Sequence, residues 1–350
     1  MAYRLKLGEA IDDAYRRIVG EQIELAVHQL AEGEDRVVAV HEARKSLKRV
    51  RALLKLVRSG LPRDVYVHEK DRFRDIARGL AGTRDSDVLR ATASRLAEDA
   101  SAKARKVAAT IAAKDRDDAD GTGDAGKAMV GTAIDALEAA RTELATLRFD
   151  KKRFAVVRRG IETTYRNGRR AMREVLDEHH DEAFHEWRKA VQAHWRQMQL
   201  LSRAWPDVFE SRATLAKEIS ELLGEDHDLA VLIERLAPAA VDGGETSGSA
   251  ELIVVARRRQ EAIRAELHPK GDALYAESPP EFAERIAAYW SAAKAARRLA
   301  RGEAGEAAVD APKEEAVKHE PAKEKPARPT VAAKGGRTGA ARSKPAPRAK

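Results

Sequence analysis

Residues 41–58 read HEARKSLKRVRALLKLVR. Leucine and valine recur there at helical spacing, and Lys and Arg fill most of the positions between them. At about 100° per residue, His41, Arg44, Lys45, Lys48, Arg51, Lys55 and Arg58 share one face of a helix. Leu47, Val50, Leu53, Leu54 and Val57 share the other. Arg49 lies off the cationic face, and Glu42 sits at its flank. The apolar side is a core surface; the basic side needs a partner or water.

The pattern returns at 185–201, HEWRKAVQAHWRQMQLL. His185, Arg188, Lys189, Arg196 and Arg203 fall on one side with Gln192 and Gln199. Trp187, Val191, Met198, Leu201 and Trp205 fall on the other, and His194 projects among them as a hydrogen-bonded core or boundary histidine. Like charges three or four apart destabilise a helix by a few tenths of a kcal/mol each. Structural helices usually relieve this with interleaved Glu, and these two do not. A solvated basic face is the ordinary reading of one such strip. Two strips, each opening on His-x-x-Arg-Lys, favour a polyanion that offers charge-assisted hydrogen bonds.

The surroundings fit. The 350-residue chain carries a formal net charge of +8 and no cysteine. That balance favours anionic partners, and the missing thiols exclude disulfides and thiolate metal sites. The low aromatic content, 5%, beside abundant Ala, Leu, Arg and Glu reads as mainly helical. No signal peptide and no long apolar run is visible, so the expectation is a soluble cytoplasmic protein without membrane contact.

Two homologous halves are expected, about 1–150 and 151–297. HEARK (41–45) returns as HEWRK (185–189), and LAGTRDSDVL (80–89) returns as LGEDHDLAVL (223–232), at nearly the same offset. Each half has room for about four helices. Polar loops are expected at 114–127 and 237–250, and helix ends at Pro62, Pro206, Pro269, Pro279 and Pro280. ELIVVARRR (251–259) is the best strand candidate, but its helical continuation argues against it. From 302 to 350 the chain is rich in Ala, Lys and Pro, which suggests a disordered basic tail. That tail is either a cationic arm, with nucleic acid as one partner, or a solubilising extension.

RRGIETTYRNGRRAMR (158–173) adds Arg158, Tyr165, Arg166, Arg169 and Arg173 along one broad face, with Arg170 at its edge. Tyr165 is either a donor to a phosphate oxygen or an ordinary half-buried tyrosine. The basic segments 72–80 and 256–260 read mainly as surface. Asp85 and Asp228 could join His41 and His185 as metal ligands, but surrounding cations disfavour a metal. TRDSD and EDHD instead read as helix starts capped by Asp. No P-loop and no Ser/His/Asp arrangement is evident. No cofactor, no metal and no catalytic residue is therefore expected.

The sequence resembles the CHAD family, the conserved-histidine α-helical domains. The resemblance rests on HEARKSLKRVR, HEWRKAVQAHWRQMQLL, the repeated Leu…Asp-x-x-Val-Leu element and YRNGRRAM, with GDALYAESPPEF (271–282) similar to the family's closing region. It spans about residues 5–295. It implies two four-helix bundles related by pseudo-twofold symmetry around a basic channel, and binding of inorganic polyphosphate, in some members at polyphosphate granules. The residues implied are His41, Arg44, Lys45, Lys48 and Arg51 from the first half, with Lys55 further along the same stripe. From the second they are His185, Arg188, Lys189 and Arg196, with Tyr165, Arg166 and Arg169 alongside. Gln192-Ala193 stand where the first repeat has Lys48-Arg49, so the second half is expected to grip fewer phosphates. The resulting expectation is a non-catalytic polyphosphate-binding protein. A nucleic-acid-binding protein, and a regulatory or catalytic component of polyphosphate metabolism, are the other readings.

Overall fold

The structure, a computed structural model, describes residues 3–80, 84–98, 100–118, 124–149, 153–178, 181–243 and 247–302. The tail from 303 onward lies outside the described residues. All regular structure among them is helical: α1 (Ile11–Glu32), α2 (Arg36–Val57), α3 (Arg63–Gly79), α4 (Arg84–Ala97), α5 (Ala102–Asp118), α6 (Asp124–Leu144), α7 (Ala155–Glu178), α8 (Asp181–Leu201), α9 (Pro206–Gly243), α10 (Gly248–Leu274) and α11 (Pro279–Ala300).

Local chemistry sets several starts. Asp35 caps α2, its carboxylate accepting from the backbone N–H groups of Val37 and Val38 at 2.8 and 3.1 Å. Pro62 precedes α3 and Pro206 opens α9, positions where a missing N–H costs nothing. Ser278 and Glu281 form a capping box ahead of α11, with Pro279 in its first turn. Pro269, expected at a helix end, instead lies inside α10, and Pro238 lies inside α9. The turns around Pro269 are held by buried Leu267, Gly271 and Leu274, so packing outweighs the lost backbone bond. The loop expected from 237 is therefore helical as far as 243. The segment 251–259 belongs to α10, and its strand-like run is a helix face.

Among the described residues, six helices precede residue 150 and five follow it, where about four were expected on each side. The difference lies after the basic helices. Helix α2 is followed by α3 and α4, whereas α8 is followed by the single 38-residue α9. Asp226 and Asp228 thus sit in mid-helix, not at the start of α9. Asp226 is buried and paired with Arg264 at 2.8 Å. The Asp85 side chain lies outside the described residues.

One large apolar core joins α1, α2, α3, α6, α7, α8, α9, α10 and α11. A smaller, alanine-rich cluster ties α4 and α5 to α9 and α10 through Ala93, Ala97, Ala104, Ala108, Leu232, Leu236 and Leu252. Helix α2 packs on both α7 and α8. Gly160 of α7 makes the first approach possible: a Cβ there would lie 1.9 Å from the carbonyl oxygen of Leu56.

Candidate functional site

The apolar faces read from the sequence are buried. Leu47, Val50, Leu53, Leu54 and Val57 of α2, and Trp187, Val191, Met198 and Leu201 of α8, all belong to the core. Trp205 does not, because α8 ends at Leu201; its side chain is exposed and meets Tyr289 edge-on. His194 is fully buried and its Nε2 accepts a hydrogen bond from Arg212 Nε at 3.0 Å. Burial, followed by the Arg212 charge, holds that imidazole well below its ordinary pKa.

With these faces buried, the cationic sides of α2 and α8 border a common concavity. A cavity of about 400 Å³ is lined by Arg44, Lys48 and Arg51 from α2, and by His185, Arg188, Lys189 and Gln192 from α8. Val88 and Leu89 of α4 and His227, Asp228 and Val231 of α9 complete it. A second cavity, about 90 Å³, shares Lys48, Arg51, Lys189 and Gln192 and adds Lys55 and Arg196. A third, about 200 Å³, shares Lys55 and Lys189 and reaches Arg58, Tyr66, Asn167 and Arg170. Shared walls make the three one groove.

Its cations are strained electrostatically. Lys55 is pushed down to about 8 by burial and then by Arg51, with Lys189 adding to the effect. Arg196 is pushed down to about 10, chiefly by burial and further by Arg49. Arg51 is lowered by burial and by Arg74 and Arg78 of α3, so the 72–80 segment does contribute to the field there. Burial, then Lys189 and His227, lowers the His185 imidazole. An anion in the groove would oppose each of these shifts by favouring the charged form. Some compensation is internal. Lys45 bonds Glu42, and Lys189 bonds Glu186, each at 2.6 Å and three residues apart. Arg44 donates to the Ala77 carbonyl at 3.0 Å. Gly224 leaves room for Arg188, whose guanidinium would lie 3.1 Å from a Cβ at that position.

Of the candidate residues, Arg44, Lys48, Arg51, Lys55, His185, Arg188, Lys189 and Arg196 line the groove. His41 and Lys45 do not line these cavities; His41 stands beside Glu42, and Lys45 is exposed. Tyr165, Arg166 and Arg169 require a correction. Tyr165 is wholly buried, stacks on Phe282 at 4.3 Å, and bonds the Glu277 carbonyl and N–H at 3.1 and 3.2 Å. Arg166 bonds Glu162, and Arg169 faces Glu281 of α11. This side of α7 packs against α11, whose Glu284 also pairs with Arg158 at 3.8 Å. The opposite side, with Thr163, Asn167 and Arg170, meets the groove.

Sequence reasoning missed His227 as a lining residue. Its ring lies 5.3 Å from that of His185, centroid to centroid. The four-residue spacing of His227 and Val231, one helical turn along α9, was the available signal, obscured by reading EDHD as a helix start. His185, His227 and Asp228 border one cavity, whereas His41 is not with them. Among the described residues, the trio whose possible metal-ligand atoms lie within 4.8 Å of one another is His68, Glu69 and Glu143, outside the groove lining. Arg72 already bonds Glu143 there and approaches Glu69 at 3.5 Å.

An all-helical domain with facing cationic helices defines a class, and comparison supplies the family. The family model of the CHAD domain matches residues 17–237. The chain belongs to the CHAD domain family. A solved structure, the crystal structure of the CHAD domain from the plant Ricinus communis, is similar with a TM-score of 0.53 and 20% identity, over 79% of this chain and 94% of that one. At that identity the likeness concerns the fold. No curated protein matches the chain. No helix among the described residues is long and apolar enough to cross a membrane.

Proposed function

We propose that this protein binds inorganic polyphosphate along the groove between α2 and α8, as a binding protein without turnover. The observation that carries the reading is the continuity of the three cavities, joined through Lys48, Arg51, Lys55 and Lys189. A polyphosphate thread carries a charge at every unit and so suits cations strung along a run better than cations gathered in one pocket. Arg44, Arg51, Arg188 and Arg196 offer forked donors, and Lys48, Lys55 and Lys189 offer point charges. Buried cations held below their ordinary pKa also gain most from an anion. The family resemblance supports the same ligand and association with polyphosphate granules.

Competition tests it. Labelled long-chain polyphosphate, bound to the full chain, should resist displacement by duplex DNA and by RNA at equal phosphate concentration, and should itself displace both. The reverse order would assign the groove to nucleic acid. Release of orthophosphate from polyphosphate on adding Mg²⁺ or Mn²⁺ would make the protein an enzyme.

A further inference from the structure

Arg49 of α2 is not among the residues lining the groove; it lines a separate cavity of about 700 Å³. The walls come from the N-terminal segment, α2, α8 and α9. They are fixed in place by the chain itself. Leu5 N–H donates to the Leu200 carbonyl at 2.8 Å, Tyr3 Oη donates to the Arg49 carbonyl at 2.8 Å, and the Arg49 guanidinium lies 5.7 Å from the Tyr3 ring centre. Arg17 donates to the Arg4 carbonyl at 3.1 Å.

The lining combines two chemistries. Trp195, half-buried, and the ring of Tyr3 supply aromatic surface; Arg4, Arg49 and Lys217 supply positive charge. Glu210 is the carboxylate at the rim, 3.5 Å from Arg4. A bare phosphate chain would leave the aromatic surface unused, and an apolar ligand would leave the cations idle; Arg4 pairs with Glu210 at 3.5 Å, Lys217 with Glu221 at 3.3 Å and Arg49 with Gln22 at 3.3 Å, partners that a phosphate can replace. A flat heteroaromatic ring bearing phosphate uses both: stacking on an indole tolerates any base, and cations take the phosphates. The volume lies in the range of small-molecule sites. We propose that this cavity is a nucleotide site. The ring stacks at Trp195, Glu210 accepts from an exocyclic amino group, and Arg4, Arg49 and Lys217 hold the phosphates. The site is distinct from the polyphosphate groove, although Arg196 borders both, lining the groove while its guanidinium lies 4.5 Å from the Trp195 ring centre.

The test is calorimetric titration of the full chain with ADP, and with pyrophosphate as the ring-less control. ADP should bind, and pyrophosphate should bind this site about tenfold more weakly or less, the difference being the stacked base. Trp195→Leu should weaken ADP by about tenfold. Lys217→Gln, at an exposed position that should leave the melting temperature unchanged, should weaken it roughly threefold. The Arg44→Ala/Arg188→Ala protein, altered only in the groove, should bind ADP like wild type, whether or not the groove takes polyphosphate. The proposal is overturned if ADP does not bind at millimolar concentration, or if pyrophosphate binds the Arg44→Ala/Arg188→Ala protein as well as ADP does. It is equally overturned if the groove variant loses ADP, or if Lys217→Gln changes nothing.

Discussion

His185 and His227 face each other across one wall of the groove, on neighbouring helices α8 and α9, with ring centres 5.3 Å apart. Burial is the largest influence on His185 and keeps it neutral below its usual range; Lys189 and His227 push the same way. An anion would favour the imidazolium. Polyphosphate affinity should therefore strengthen as pH falls through and below about 6.5, and His185→Gln should flatten that profile. For the empty protein the sign is opposite. A histidine whose pKa is lower folded than unfolded contributes stability above the unfolded pKa and loses it as pH falls. Melting curves with and without polyphosphate at pH 5.5 and 7.5 should thus diverge most at the lower pH.

Lys55 gives a second titration, at the alkaline side. With its pKa at about 8 in the empty groove, it is partly neutral at pH 8 to 9. A phosphate beside it would restore the charge, so binding takes up a proton there and affinity falls as pH rises through 8. Calorimetry at pH 8.5 in two buffers of different ionisation enthalpy should report that uptake, and Lys55→Met should abolish it. Stability of the empty protein moves the other way, rising between the folded value and the ordinary lysine value because the unfolded chain binds the extra proton.

Arg44→Ala with Arg188→Ala should weaken polyphosphate by more than about 1 kcal/mol, since each charge-assisted contact is typically worth roughly 1.5–3 kcal/mol. Helicity by circular dichroism should persist. The slope of affinity against salt should become shallower, because fewer counterions are released.

Tyr165→Phe separates a core role from a ligand role. The hydroxyl bonds the backbone of Glu277, so its loss should lower stability by about 1 kcal/mol. Polyphosphate affinity should stay at the wild-type value. A selective loss of affinity at unchanged stability would return Tyr165 to the groove.

Gly160→Ala should be among the more damaging small substitutions. The methyl would meet the Leu56 carbonyl, and overpacking of this kind costs about 1–3 kcal/mol. Thermal denaturation would measure it as a lowered midpoint.

The two stripe helices were readable because their faces alternate with a clear period and their apolar halves face one core. Helix α7 was harder. Its arginines share a face, but that face meets Glu281 and Glu284 of α11, far away in sequence. Local spacing finds a basic face and cannot say which helix will cover it. The aspartates of α9 misled for another reason. Cap-like residues beside Gly224 resemble a helix start, yet tertiary packing carries the helix through, and the missing side chain accommodates Arg188. Pro269 follows the same rule, a local break overridden by burial on both sides.

The Glu42–Lys45 and Glu186–Lys189 pairs each lie within a single helical turn. If the groove takes polyphosphate as proposed, Lys189, which lines it, can exchange its carboxylate for a passing phosphate by turning a side chain, with no backbone displaced. A polymer held by such exchanges is free to creep lengthwise, one unit handed on as the next arrives, so the protein could remain attached while the strand it holds grows or shortens at its ends.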